Sequence, residues 1–467
     1  MGGYTPATGA EQAEMLDVIG VESIDELFAQ IPGDVRLGRP LDMEDGLGES
    51  EVYSRLAELA ERNRPSGSDP DFLGAGMYDH YVPAIVGAIT SRSEFLTPYT
   101  PYQPEASQGG LQVMFEFQTA MSELTALPVS NAGLYDGPSA CAAAAYMALS
   151  VTGRSKLVVS RGLHPHARQV LSTHAVGFGS SVVEVDLVDG RTDREALEQA
   201  VDEDTAAIFI QSPNFLGAIE EVADLAEKAS ARGALVVVSA DPISLGLLRP
   251  PGECGADIAV GEGQPLGNSL DFGGPSFGYF CAREDFLRKM PGRIAGQTED
   301  FEGRRGFVLA LQTREQHIRR EKATSNICTS QALNALGAMV HLAWLGRNGF
   351  RELGELLVRR TAYARQRLAD LEGFELLYDA PVFREFAVRS TEIPVERLRV
   401  SAKDGQGSRP IRVYPLGRDY PEYEDAFLVA LTERRSVEDI DWLAGALEEA
   451  VHAGAERAAG SPTEVAT

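Results

Sequence analysis

Only five lysines occur in the 467-residue sequence, Lys156, Lys228, Lys289, Lys322 and Lys403, so chemistry that needs a reactive amine has few places to reside. Cysteine is as scarce. Cys141, Cys254, Cys281 and Cys328 are scattered singly, with no CxxC pair and no His at metal spacing, which excludes a disulfide framework and gives no metal site. No apolar run approaches the roughly 18 residues that span a bilayer, and the N-terminus lacks a basic-then-apolar pattern. The expectation is a soluble, cytoplasmic protein without membrane contact. Positive charge is short too: 42 Lys and Arg against 69 Asp and Glu leave a net charge of −27. A polyanion would be repelled by most of such a surface, so no nucleic-acid partner is expected. The same acid-rich composition resembles that of proteins from salt-accumulating organisms.

With 44% hydrophobic residues, the chain can bury a large core and form two or more domains. Residues 1–65 read as an arm and a helix (Glu51–Arg64), with Ile24, Leu27 and Phe28 on one face of Ser23–Ala29. Residues 66–345 carry strands at Leu157–Ser160, Ser181–Val185, Ala206–Gln211, Leu235–Ser239 and Asp257–Gly261. Helices at His164–Val176, Arg194–Val201 and Glu220–Arg232 alternate with them. That alternation predicts an α/β domain with a mostly parallel sheet covered by helices. Residues 346–455 predict a smaller α+β domain: a helix at Phe350–Leu371, strands at Phe374–Leu377, Arg384–Val388, Ile411–Val413 and Phe427–Leu431, and a closing helix at Val437–His452. Residues 456–467 read as a disordered tail.

The stretch Leu235–Ala282 carries the most chemistry. Asp241 lies just past the end of a strand; a loop, a second strand and a Gly-rich turn follow, with a third strand at Phe277–Ala282. Pyridoxal-phosphate enzymes of the aminotransferase-like fold have this order, the Asp pairing with the pyridine nitrogen and a Lys after the next strand forming the Schiff base. Here the Lys place reads Gly261-Glu262-Gly263-Gln264-Pro265. Gln264 is nearest to it and cannot form an imine. Asp136 opens an Ala-rich helix at the point where this fold binds phosphate. A carboxylate there already caps the free N–H groups and would repel a phosphate dianion. His164 and His166 follow a strand where a ring stacks on the pyridine in this fold, or they simply start a helix.

Two polar segments lie outside this frame. Thr97–Glu105 packs Tyr99, Tyr102 and three prolines into a stiff loop, either one wall of a polar site or a packed surface loop. Gln312–Lys322 predicts a charged helix, either an anion site or a salt-bridged face. The small polar residues Ala323–Thr329 then cap an apolar helix, Gln331–Trp344.

Several motifs carry a resemblance: Tyr78-Asp79-His80-Tyr81-Val82-Pro83, Thr97–Gln108, Phe115–Thr119, Leu134–Gly137, Phe272–Pro275, and the run LQTREQHIRREKATSNICT from Leu311 to Thr329. In these the chain resembles the glycine cleavage system P-protein, glycine dehydrogenase (decarboxylating), in particular subunit 1 of its two-subunit form. The resemblance implies a type I pyridoxal-phosphate transferase fold. It implies a reaction in which glycine loses CO2 and the aminomethyl group passes to the lipoyl arm of the H-protein. In that form subunit 2 binds pyridoxal phosphate through its Lys, in an α2β2 assembly, and this chain lines the partner's pocket. By the same carry-over Tyr99 and Tyr102 face the partner's cofactor and glycine. Thr324, Ser325 and Asn326 lie near the cofactor phosphate, and Arg314 or an Arg neighbour lies near a carboxylate. Asp136, His164 and Asp241 form a vestigial cofactor frame. The rival readings are a catalytically inactive regulatory or scaffold homologue, and a stand-alone enzyme using an atypical lysine such as Lys322.

Overall fold

The computed structural model describes residues 6–63, 69–398, 402–404 and 407–459. It divides into two units, Met1–Arg64 and Pro65–Thr467. In the first, helix α1 (Gly9–Ile19) begins at Thr8, whose hydroxyl and backbone N–H exchange hydrogen bonds with Glu11 in a capping box, and ends at Gly20 with φ 84°. Helix α2 spans Glu49–Glu61. No described residue of this unit is buried. Ser23–Ala29 holds a single 3₁₀ turn with Ile24, Leu27 and Phe28 all exposed.

The second unit is built on a seven-stranded sheet. Its strands are β1 (Val129–Ser130), β2 (Lys156–Ser160), β3 (Ser181–Val185), β4 (Thr205–Ser212), β5 (Leu235–Ala240), β6 (Ile258–Glu262) and β7 (Gly278–Ala282), in the order β1-β7-β6-β5-β4-β2-β3. The five strands from β3 to β6 run parallel; β7 is antiparallel to β6, and β1 to β7. Ala206–Ile210, Val236–Val238 and Ile258–Val260 are buried without alternation, as a sheet covered on both faces requires. On one face lies α3 (Gly137–Thr152), whose Ala140, Ala144 and Ala148 let it approach Val159, Phe209 and Val237 closely. On the other, Leu225, Ala226 and Ala229 of α4 (Val222–Ser230) pack on Ile208, Val236 and Val238.

The two helices expected on either side of residue 345 form one element, α5 (Ala332–Ala369), broken at Gly346, where φ 59° needs glycine. Beyond it, β8 (Phe374–Leu376), β9 (Glu385–Ser390), β10 (Tyr414–Pro415) and β11 (Ala426–Ala430) form an antiparallel sheet in the order β8-β9-β11-β10. Helix α6 (Val437–Ala459) covers it through Leu443 and Leu447. The strand expected at Ile411–Val413 is not one. Ile411 and Val413 are buried core residues, the Arg412 carbonyl accepts from Phe72 N–H, and strand pairing begins at Tyr414. Of the expected tail, residues 456–459 belong to α6 and 460–467 lie outside the described residues. No helix among the described residues is long and apolar enough to cross a membrane.

Candidate functional site

The C-terminal ends of β4, β5 and β6 open into a cavity of about 570 Å³, where open α/β sheets bind their ligands. Asp136, His164 and Asp241 line it together, joined by Glu262, Arg384 and Glu385. At one end, α3 begins. Asp136 Oδ1 accepts from Ser139 N–H at 2.7 Å, as a cap should. Glu262, the last residue of β6, places Oε2 3.0 Å from Gly137 N–H and Oε1 3.1 Å from Gln264 N–H, and also accepts from the Ser276 hydroxyl. A Cβ on Gly137 would lie 2.9 Å from Glu262 N, so glycine permits this approach.

At the other end, Asp241 Oδ1 accepts from Ile243 N–H at 3.0 Å and Oδ2 is ion-paired with Arg384 Nη2 at 2.7 Å. Arg384 is buried, its guanidinium carbon 3.4 Å from the centroid of the Tyr78 ring and its Nη1 on His80 Nε2. A guanidinium can only donate, so His80 Nε2 accepts and its Nδ1–H donates to Glu433 Oε2 at 2.6 Å. Glu385 accepts from Ala75 N–H and from Tyr78 OH, both at 2.8 Å. Burial pushes its carboxyl up to about 7 and raises that of Glu262. Burial lowers His164 to about 4. Its neutral ring serves structure: Nε2–H donates to Ala75 O at 3.1 Å and Nδ1 accepts from His166 N–H at 3.1 Å.

Gln264 follows β6 as expected, but its side chain belongs to the scaffold. Its Nε2 donates to Tyr78 O and Asn268 O at 3.0 and 2.8 Å, and its Oε1 accepts from Tyr78 N–H at 3.0 Å. No lysine lines the cavity among the described residues, and Lys322 is exposed on a short turn away from it. The residues present do not fit pyridoxal phosphate: the amine is missing, the helix N–H groups are taken, and Asp241 is paired. No cluster suited to a metal ion occurs among the described residues.

The polar segments come together elsewhere. Tyr102 meets His317 edge-on at 5.5 Å, with the Arg293 guanidinium 5.5 Å from the Tyr102 ring, while Tyr99 is 83% exposed. The helix expected at Gln312–Lys322 is three short turns, Gln312–Arg314, Gln316–Arg319 and Arg320–Lys322, because Glu315 is extended (ψ 156°) and Arg320 takes φ 53°. Arg314 is buried, with its guanidinium on the carbonyls of Met290, Gly292 and Leu311 rather than on any carboxylate. Thr324 N–H donates to Arg314 O at 3.3 Å, Ser325 Oγ accepts from Ile327 N–H at 3.0 Å, and Asn326 is exposed. Sequence reasoning missed Glu262, Arg384, Glu385 and the role of Tyr78. A charged Arg-Glu pair at the head of the apolar run Phe386–Val388 was the available signal.

A glycine cleavage system P-protein family model matches residues 3–447. The chain is 50% identical over 447 residues to the probable glycine dehydrogenase (decarboxylating) subunit 1 of Moorella thermoacetica, covering 95% of this chain and 98% of that one. It is 50% identical to the Carboxydothermus hydrogenoformans protein of the same name, over 94% and 97%. Among solved structures it matches an inhibitor-bound glycine decarboxylase (P-protein) with a TM-score of 0.84 and 42% identity, over 96% of this chain and all of that one. A sphingosine-1-phosphate lyase from Burkholderia pseudomallei, 16% identical with a TM-score of 0.62, shares the fold. Across nearly its whole length, then, the chain belongs to the glycine cleavage system P-protein family.

Proposed function

We propose that this chain is the lysine-free subunit of a two-subunit glycine decarboxylase. With subunit 2 it decarboxylates glycine and delivers the aminomethyl group to the lipoyl arm of the H-protein. Pyridoxal phosphate is carried by subunit 2, where it supplies the electron sink for loss of CO2. The contribution of this chain is structural and polar: a wall for the partner's pocket, excluding water and directing hydrogen bonds to substrate. Tyr99, Tyr102, Thr324, Ser325 and Asn326 are the groups assigned to that wall. An α2β2 assembly in the cytoplasm is part of the same reading.

One observation carries it. The chain's own cavity is closed to cofactor chemistry by internal pairs, whereas Tyr99 and Asn326 are exposed on segments that make no use of them internally. The nearly full coverage of relatives named subunit 1 supports a partner chain. The test is exchange of labelled CO2 with glycine carboxyl in a reconstituted system. Subunit 2 and lipoyl H-protein should be inactive until this chain is added; full activity without it would refute the proposal.

A further inference from the structure

We infer that Glu262 and Arg384 are the residues that keep pyridoxal phosphate out of this chain, each filling with its own charge the place of a matching charge on the cofactor. A missing lysine would not do this alone, since phosphate and ring contacts can hold such a ligand without a covalent bond. The inference deepens the reading that subunit 2 carries the cofactor, and rests on that reading only for the purpose exclusion serves.

At the phosphate end, α3 starts Gly137-Pro138-Ser139. Proline has no N–H, so the first three positions offer two amide donors. Both are already satisfied by carboxylates, Gly137 by Glu262 and Ser139 by Asp136. A phosphate dianion would have to displace one carboxylate and lie beside another. The Glu262 carboxylate is itself held on its far side by Gln264 N–H and Ser276, so it is seated rather than swinging.

At the ring end, both oxygens of Asp241 are engaged, and the partner of Oδ2 is a permanent cation. Arg384 does not depend on Asp241 for its position. The Tyr78 ring holds one face of the guanidinium, and His80, backed by Glu433, holds Nη1. The cation stands where a protonated pyridine nitrogen would have to pair. In this way the frame is neutralised from within, and the strand that follows Arg384 is tied to the end of β5 and to the Tyr78–His80 segment.

The experiment uses the isolated full chain and pyridoxamine phosphate, which needs no lysine, in equilibrium dialysis with melting curves as the fold check. The native chain is expected to show no saturable binding. Glu262→Ala, which frees Gly137 N–H, is expected to bind saturably, with a Kd about ten- to a hundredfold below the lower limit that the native titration sets, and to be competed by inorganic phosphate. Adding Arg384→Gln should tighten binding roughly another tenfold, whereas Arg384→Lys, which keeps the cation, should not. Saturable binding by the native chain, a folded Glu262→Ala chain that binds no better, or equal affinities for the two Arg384 variants would overturn the inference. If the Arg384→Gln chain does not fold, Arg384→Met, also neutral, takes its place in the same comparison, and the native and Glu262→Ala results decide the Glu262 arm. None of these results depends on subunit 2, so the proposed function stands or falls separately.

Discussion

Glu385→Gln isolates one buried proton. Glu385 is 3% exposed, and burial lifts its carboxyl from 4.5 to about 7 against the opposing hydrogen bonds of Ala75 and Tyr78 and the charge of Arg384. For an acid raised in the folded state, the native chain keeps a proton that the unfolded chain has already released between those two values. Stability from this group is therefore fully present below about pH 4.5, is lost as the pH rises to about 7, and stays lost above. A span of about 2.5 pH units at 1.36 kcal/mol each amounts to about 3 kcal/mol, an upper figure because the surroundings relax. Glutamine is neutral throughout, can still accept from Ala75 N–H, and can donate to the Tyr78 oxygen. Urea denaturation of both proteins at pH 5 and pH 8 measures the effect. Relative to wild type, the variant should gain about 2.5 kcal/mol between those pH values, the part of the span that lies between pH 5 and pH 8. An equal stability difference at both would refute the argument, because a purely steric effect of the substitution would be the same at every pH.

Four further outcomes are expected. Borohydride treatment of the isolated chain with pyridoxal phosphate, followed by mass spectrometry, should give no stoichiometric adduct on any one lysine. Melting temperature should rise with KCl, because 1 M salt shortens electrostatic repulsion to about 3 Å and the net charge is −27; a flat or falling curve removes this expectation. Gly217→Ala should destabilise by about 3 kcal/mol or more in thermal melts, since φ is +93° and a Cβ would lie 1.9 Å from Glu385 O. Tyr99→Ala or Asn326→Ala should lower glycine–CO2 exchange about ten- to a hundredfold while the two-subunit complex still co-elutes in gel filtration.

The parallel core was legible because strands buried on both faces leave long apolar runs, and β4, β5 and β6 are such runs. The segment 312–322 was not, although its composition favours a helix. An extended Glu315 and a positive φ at Arg320 interrupt it, while Arg314 is anchored on carbonyls of residues 290 and 292, contacts that no local pattern announces. Ile411–Val413 misled for the opposite reason. Its apolar residues are buried, but the Arg412 carbonyl is claimed by Phe72, far away along the chain. Burial was readable there; pairing was not.

The same distinction governs the cavity. A residue that is missing can be seen in a sequence, so Gln264 in place of an amine was visible, and so was Asp136 as a local cap. What satisfies the remaining charges could not be seen, because each solution joins distant segments: Glu262 to Gly137, Asp241 to Arg384, Arg384 to Tyr78 and His80. Physical necessity nonetheless demands such partners. A carboxylate left buried and unpaired costs several kcal/mol, so a cavity that holds Asp241 and Asp136 needs cations and N–H donors from its own chain. Arg384 and the amides of α3 are those groups. Once they are committed inward, the cavity's charges are spent on one another, whereas Tyr99 and Asn326 stand exposed at the surface, where the proposed function would use them.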